Sequence, residues 1–246
     1  MEARDRLLNR GGSAAALLGA LAMLWLLAGL PAAAQSLTGT SGLVLIPTAE
    51  MPADGTLAFG GGFVHKRYSR YKGGTHHYVP YYTSITYLPF LELGFRFSRL
   101  VDSPERQALG DRMVSVRLRL SSEGEKRPAV VVGAHDFIKS SDASTSRFNT
   151  LYLVLSKHFD GIPVARRIGV HAGYGSDVMD ADSHQFVGLF GGLSASPVPG
   201  LDVLVEYDGD ALSIGPRVLL FRHLQLVAAL QNFDAVVAGG SVRFRL

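Results

Sequence analysis

The 246-residue sequence contains no cysteine, a single tryptophan (Trp25) and few charges, since only 18% of its residues are Asp, Glu, Lys or Arg. The absence of cysteine excludes disulfides, thiolate metal ligands, a cysteine nucleophile and lipid attachment through cysteine. The formal net charge of +3 is too small to indicate nucleic acid as a partner without a basic stripe or a recognition motif. With 47% hydrophobic residues and a mean hydropathy of +0.18, the chain is apolar for a soluble protein, which points to a membrane.

Residues 1–34 have the three parts of a secretory signal peptide. Arg4, Arg6 and Arg10 precede an apolar run over 14–30, and the small residues of 31–34 (PAAA) end it. We therefore predict cleavage near Ala34/Gln35 and export from the cytoplasm. An uncleaved anchor helix is the alternative, because the apolar run is slightly long for a signal peptide.

The rest of the chain lacks an uninterrupted apolar run of about 20 residues, the length that a membrane-spanning helix needs. Hydrophobic residues instead alternate with polar or small ones, as in 91–97 (LELGFRF), 116–120 (VRLRL) and 242–246 (VRFRL). Alternation places the apolar side chains on one face of a strand. The pattern predicts twelve strands, near 57–66, 78–88, 91–98, 111–121, 128–136, 148–158, 167–176, 186–195, 201–208, 211–220, 223–231 and 238–246.

The connections between these strands alternate in length. Most that lead from an even to an odd strand are tight, whereas several from odd to even are long and polar, as in outer-membrane barrels. Two exceptions are a predicted hairpin at Gly209-Asp210 on the long-loop side and a predicted connection over 159–166 on the short side. The tyrosines at 78, 81, 82 and 87, with Phe90, are candidates for an aromatic girdle at a membrane surface.

The predicted fold class is all-β: an antiparallel transmembrane β-barrel of about 12 strands in the outer membrane of a Gram-negative bacterium. The barrel takes up 56–246, and 35–55 form a periplasmic or lumen-entering segment after the signal peptide. A soluble β-sandwich is the alternative, since it also alternates apolar and polar residues. One predicted face is large and apolar while the other mixes glycine with isolated charges, which favours the wet interior of a barrel.

Catalytic and metal-binding motifs are scarce. The sequence has no H-E-x-x-H and no G-x-S-x-G, and the adjacent His76 and His77 point opposite ways in an extended chain. His135 and Asp136 could belong to a Ser-His-Asp arrangement, and a serine within hydrogen-bond reach of His135 would support a barrel hydrolase. We predict no catalytic residue, no metal ligand and no cofactor.

Alternation also turns a set of charged side chains toward the barrel lumen. The candidate ligand-facing residues are Arg96, Arg117, Arg119, Arg217, Arg243, Glu92, Glu206 and Asp208. Arginine forms two-pronged contacts with carboxylates, either on a neighbouring strand or on an acidic ligand. The set is therefore compatible with a salt-bridge network that holds a small barrel together and with a path or binding surface for an acidic glycan.

Several short motifs resemble the YjbH-like exopolysaccharide and capsule biosynthesis proteins. They are 42–49 (GLVLIPTA) followed by 51–55 (MPADG), 111–112 (DR), 128–133 (PAVVVG) with 136–137 (DF), 152–157 (YLVLSK) and 206–210 (EYDGD). The resemblance covers nearly all of the chain after the signal peptide. It implies an outer-membrane barrel that serves exopolysaccharide or capsule biosynthesis or export, without catalytic residues.

The partners that this resemblance implies are outer-membrane lipid, a polysaccharide and polysaccharide-secretion proteins. Two other functions are compatible with a barrel of this size: a narrow diffusion channel for small solutes and an outer-membrane hydrolase that acts on lipid or glycan. Twelve strands do not decide between an open and a filled lumen, because eight strands just fill with side chains whereas 16–18 leave a channel.

Overall fold

The computed structural model describes residues 33–68, 70–71, 74–102, 109–137, 148–178 and 185–246. The predicted signal peptide, apart from Ala33 and Ala34, lies outside the described residues. Within them, no helix has the length and apolar character that a membrane-spanning helix needs.

The described chain folds almost entirely into strands. They are β1 (Thr56–Val64), β2 (Arg70–Tyr71), β3 (Gly74–Thr75), β4 (Tyr78–Thr86), β5 (Leu91–Leu100), β6 (Leu109–Ser121), β7 (Ala129–His135), β8 (Thr150–Ile162), β9 (Ala165–Ser176), β10 (Gly188–Val198), β11 (Leu201–Tyr207), β12 (Leu212–Leu220), β13 (Leu224–Gln231) and β14 (Ala235–Arg245). A 3₁₀ turn at Lys66–Tyr68 precedes β2, which pairs with β3 in a small hairpin.

The twelve strands β1 and β4 to β14 form a closed barrel. Each pairs antiparallel with the next one along the chain, and β14 pairs with β1, from Thr56 opposite Arg245 to Val64 opposite Val237. Every one of these twelve strands thus has a partner on both sides, and closure removes the sheet edges. The predicted all-β antiparallel barrel of about twelve strands is therefore confirmed, and the soluble sandwich is excluded as the fold.

One predicted connection is wrong. The chain over 159–166 is not a loop, because β8 continues to Ile162 and β9 begins at Ala165, with these two residues paired. Gly161 has a φ of 74°, a conformation that glycine adopts without strain, so the strand continues past a position that resembled a turn in the sequence. Four of the five connections at this end have two to four residues, and the β6–β7 connection has seven. We call this end the short-turn end and the opposite one the long-loop end.

Side chains alternate between the lumen and the exterior along the barrel strands. On β8, Leu151, Leu153 and Leu155 are exposed, whereas Tyr152 and Val154 between them are buried. Every barrel strand except β7 presents at least one exposed large apolar side chain on the outside, and β7 turns the half-buried Val130 and Val132 outward. The exterior is therefore a continuous apolar belt.

Exposed aromatic side chains lie toward both ends of this belt. Tyr87, Phe90, Phe159, Phe221 and Phe244 lie near the short-turn end, and Phe137, Tyr174, Tyr207 and Phe233 lie near the long-loop end. The residues chosen from the sequence as girdle candidates do not all face outward, and their place at a membrane surface stays a prediction. Tyr78 and Tyr82 are buried in the lumen, because they share the inward parity of β4, while Tyr81 is outside.

Candidate functional site in the barrel lumen

Residues 34–52 lie inside the barrel, and we call them the plug. All of them except Glu50 are buried. Their backbone groups form hydrogen bonds with side chains of β5, β6, β8, β11, β12 and β13. Contact with strands around most of the barrel circumference is possible only from within the lumen. The plug therefore takes the place that water or a solute would have in an open pore.

Glycines on the lumenal faces make room for the apolar side chains of the plug. A Cβ atom on Gly62 would lie 2.8 Å from Cδ2 of Leu37, and one on Gly239 would lie closer still to the same atom. A Cβ atom on Gly192 would lie 2.6 Å from Cδ1 of Leu43. These separations are too short for carbon atoms that are not bonded. A Cβ atom at each position would also lie within 2.6 Å of a carbonyl oxygen on a neighbouring strand. The small residues of β1, β10 and β14 are thus explained by close approach of both the plug and the adjacent strands.

Glu206 on β11 holds the middle of the plug. Its two carboxylate oxygens accept hydrogen bonds from the backbone N–H groups of Val44 (2.9 Å), Leu45 (2.8 Å) and Ile46 (3.3 Å). These three donors and the carboxylate are all buried, so the interaction satisfies groups that would otherwise be desolvated without partners. A lumenal carboxylate here binds the protein's own backbone.

A buried ion pair on β5 and β6 binds the plug both before and after the segment 44–46 that Glu206 holds. Glu92 and Arg117 are each 0% exposed and form a salt bridge. The second Glu92 oxygen accepts bonds from the backbone N–H (3.0 Å) and the hydroxyl (3.1 Å) of Ser41. The Arg117 guanidinium donates to the carbonyl oxygens of Thr48 and Glu50. Both partners of the pair therefore extend their hydrogen bonding to the plug.

The C-terminal part of the plug is bound near the short-turn end through a histidine between two carboxylates. His158 Nε2 lies 2.9 Å from Glu50 Oε1, and His158 Nδ1 lies 2.6 Å from Glu123 Oε2. Partial burial raises the pKa of the Glu123 carboxyl, but hydrogen bonds from His158 and Lys157 outweigh this effect and lower the pKa to about 2. Glu123 lies in the β6–β7 connection, so this contact ties the plug to a turn.

The long-loop end of the lumen is filled by an aromatic cluster. Its rings are those of His135, Phe148, Tyr152, Phe186 and Phe190, with centroids 4.8 to 6.4 Å apart. The Arg96 guanidinium lies 4.4 Å from the centroid of Phe148, a cation–π distance. Asp208 shapes the adjoining turn by accepting bonds from Gln185 and from the backbone N–H groups of Asp210 and Ala211.

The short-turn end differs, because a cavity of about 470 Å³ lies between the plug and the wall there. Its lining includes four arginines, Arg166, Arg167, Arg217 and Arg243, and three carboxylates, Glu50, Asp160 and Asp202. Ala34 at the start of the plug also lines it. We call this space the short-turn cavity.

The candidate ligand-facing residues thus separate into groups. Three of them, Glu92, Arg117 and Glu206, bind the plug. Two others, Arg96 and Asp208, lie at the long-loop end. Arg119 donates a hydrogen bond to the carbonyl of Pro89 in the β4–β5 turn. Arg217 and Arg243 line the short-turn cavity and also donate to the plug carbonyl of Gly42 and to that of Ala33. The ligand-facing role of the set stays a prediction.

A serine does lie within hydrogen-bond reach of His135. Ser115 Oγ on β6 is 2.9 Å from His135 Nδ1 on β7. Both side chains are buried, and Nε2 of His135 has no hydrogen-bond partner among the described residues. In a Ser-His-Asp triad the serine bonds Nε2 and a carboxylate bonds Nδ1, so the ring is turned the other way from that arrangement.

Sequence reasoning did not identify the plug contacts or the cavity arginines Arg166 and Arg167. The apolar residues 43–46 carry no strand alternation, and no local pattern shows which lumenal residues they meet. The signal that could have indicated the plug is the glycine content of the inward faces, since small residues there leave space that something else fills. His158 was missed because its partners Glu50 and Glu123 are remote in sequence.

Together, the fold and the lumen define a closed twelve-stranded antiparallel barrel that is filled by its own N-terminal segment. Residues 34–216 match the model of the YjbH family, which is described as exopolysaccharide biosynthesis protein YbjH. This range starts at the plug and ends within β12. The chain therefore belongs to the YjbH family, which links it to exopolysaccharide biosynthesis. No curated protein matches the chain.

Proposed function

We propose that this protein is a non-enzymatic barrel of the outer membrane of a Gram-negative bacterium that supports exopolysaccharide or capsule biosynthesis or export. The apolar exterior is the observation that carries the proposal. Soluble monomers rarely expose contiguous apolar patches larger than a few hundred Å², whereas a belt with aromatic residues at both ends suits a bilayer. In bacterial outer-membrane barrels the short turns face the periplasm, so the short-turn cavity would face the compartment from which a polymer arrives.

The membrane location can be tested by replacing an outward side chain with arginine. On the lipid face of a barrel, arginine near the bilayer centre costs about 2–4 kcal/mol, so Leu153→Arg should reduce the heat-modifiable folded species in the outer-membrane fraction. Val164→Arg is the matched control, because Val164 is 79% exposed in the β8–β9 turn. Equal assembly of both variants, or no folded species of the unaltered chain in that fraction, contradicts the membrane location.

The role in polysaccharide production is tested in cells. Deletion of the gene should lower extracellular polysaccharide while leaving other outer-membrane barrels at normal abundance, and the intact chain should restore it. Unchanged polysaccharide in the deletion strain contradicts this part of the proposal. Secretion proteins that co-elute when the barrel is purified from these cells would be its partners.

A filled lumen argues against a constitutive diffusion channel. The plug contacts strands around most of the wall, and aromatic rings pack the long-loop end. The intact protein should therefore conduct ions poorly in planar bilayers. Glu206→Ala removes three hydrogen bonds to the plug backbone, so this variant should show more frequent channel openings. Steady, large conductance of the intact chain would support the diffusion channel instead.

A barrel hydrolase is kept as a second candidate because of the Ser115–His135 contact of 2.9 Å. The pair lies at the aromatic cluster, and both members are buried. We expect Ser115→Ala to leave polysaccharide production unchanged and to lower the free energy of unfolding by about 1 kcal/mol, the typical value of one hydrogen bond. Loss of production in a variant that still folds would favour the hydrolase.

A further inference from the structure

The short-turn cavity differs from the rest of the lumen because its positive charge is incompletely paired. At about 470 Å³ it falls within the range of small-molecule sites, about 300–1,000 Å³. Its walls are formed by strands from β8 to β14, and the plug contributes Ala34 and Glu50 to the lining. Most of the lining residues are polar or charged, and they include two serines and a glutamine.

All three carboxylates in the lining have partners, and those of Asp202 and Glu50 are close. Asp202 accepts two hydrogen bonds from Arg217 (3.0 and 2.8 Å) and one from Ser196 (2.5 Å). Glu50 lies 2.9 Å from His158. These contacts occupy the carboxylates, so they do not neutralise the other arginines of the cavity.

Arg167 has one long ion pair, with Asp160 opposite it on β8, and Arg243 has no carboxylate in salt-bridge range within the part of the chain that the structure describes. The buried Nε of Arg167 has no hydrogen-bond acceptor there, and the oxygen of Asp160 is 3.9 Å away on a side chain that is 80% exposed. Arg243 donates to neutral carbonyl oxygens, those of Ala33 (2.9 Å) and Arg222 (3.3 Å). A guanidinium that is partly removed from water without a counter-charge is costly, and an anion in the cavity would remove that cost.

We propose that the short-turn cavity binds an anionic saccharide, with its carboxylate groups on Arg167 and Arg243. These arginines lie on β9 and β14, five strands apart in the barrel order, so a ligand that reaches both spans the cavity. Ser194 and Ser196 on β10, between these strands, offer hydroxyl groups to sugar hydroxyls. The saccharide nature of the ligand rests on the proposed function, whereas its negative charge rests on the weakly paired Arg167 and on Arg243, which has only neutral acceptors.

The test compares trigalacturonate with maltotriose, two α-1,4-linked trisaccharides that differ in charge. Isothermal titration of the purified, detergent-folded protein at pH 7 should show trigalacturonate binding at least tenfold tighter than maltotriose. Arg167→Gln and Arg243→Gln should each weaken trigalacturonate binding at least tenfold. Arg127→Gln is the matched control, since Arg127 is exposed at the same end of the barrel but does not line the cavity; its affinity should stay within twofold.

Equal affinity for the two sugars, no binding of either, or equal losses in Arg127→Gln and Arg167→Gln would overturn the proposal. Gel mobility before and after heating checks that each variant is folded. Arg167→Gln keeps the test decisive if Arg243→Gln disturbs the plug, because Arg167 makes no hydrogen bond through Nε to any described residue. Binding is measured on purified protein, so its failure is distinguishable from a failure of outer-membrane location or of polysaccharide production in cells.

Discussion

Charged side chains in two parts of the same lumen are partnered in different ways. Where the plug touches the wall, Glu92, Arg117 and Glu206 are fully buried, and each one bonds to another buried group. Of these three plug-binding residues, only Arg117 has an atom (Nε) without a hydrogen-bond partner among the described residues. In the short-turn cavity, Arg167 has only a long ion pair with the exposed Asp160 (3.9 Å), and Arg243 donates to neutral carbonyl oxygens within the described chain. A charge with a close counter-charge or several acceptors is typical of a folded core, whereas a charge without one beside an open space is typical of a binding site. The following changes test this contrast, from the largest expected effect to the smallest.

Glu92→Ala should have the largest effect. It leaves the Arg117 guanidinium buried without its carboxylate, and loss of one partner of a buried pair costs about 3–5 kcal/mol. The free energy of unfolding would be measured from the folded fraction across a urea series. Replacing Glu92 and Arg117 together by methionine should lower the free energy of unfolding by less than Glu92→Ala does. If the double change lowers it by the sum of Glu92→Met and Arg117→Met alone, the two residues are not coupled.

Glu206→Ala should come next, at about 2–4 kcal/mol, because three buried N–H groups lose their acceptor. The natural sequence has no cysteine, so a single Val44→Cys substitution reports on the plug. Maleimide should label the Val44→Cys thiol at least tenfold faster when Glu206 is alanine. A Glu125→Cys thiol in the exposed β6–β7 connection should react equally fast in both backgrounds. Slow labelling of the Val44→Cys variant in both would show that Glu206 does not hold the plug.

Acid should weaken the contact between the plug and the β6–β7 connection. The pKa of Glu123 is about 2 in the folded protein and about 4.3 in an unfolded chain, so its stabilising effect is present above about pH 4.3 and is lost as the pH falls toward about 2. Glu123→Gln should lower stability at about pH 7 and flatten the decline between about pH 4.5 and 2 in urea unfolding. The exposed neighbour Glu125→Gln should keep the steep decline; an unchanged decline in Glu123→Gln contradicts the assignment.

Arg167→Gln should have the smallest effect on stability, within about 0.5 kcal/mol, as for substitutions that break no buried interaction. Its Nε has no acceptor to lose among the described residues. Urea unfolding at neutral pH measures this directly. A loss as large as that of Glu92→Ala would mean that the cavity arginines belong to the folded core and would remove the contrast between the two regions.

The barrel was predictable from sequence because alternation is a local property. Each of the twelve barrel strands was located to within a few residues, and only the 159–166 connection was misjudged, where Gly161 lets β8 continue. Parity also predicts that Glu92, Arg96 and Arg117 point inward, and all three are buried. The partners of these residues could not be predicted, because Ser41 and Thr48 come within hydrogen-bond distance of Glu92 and Arg117 only when the barrel has closed around the plug.

The sequence by itself determined the strand number, the antiparallel order, the apolar exterior and the inward direction of the charged side chains, because strand periodicity and loop lengths are local properties of the sequence. Only the tertiary structure decided what occupies the lumen. Residues 34–52 have no period of their own, and their hydrogen bonds are made with strands up to 190 residues away in sequence. Closure of the barrel brings those groups within hydrogen-bond distance of one another, so the plug and the short-turn cavity exist only once the whole barrel has formed.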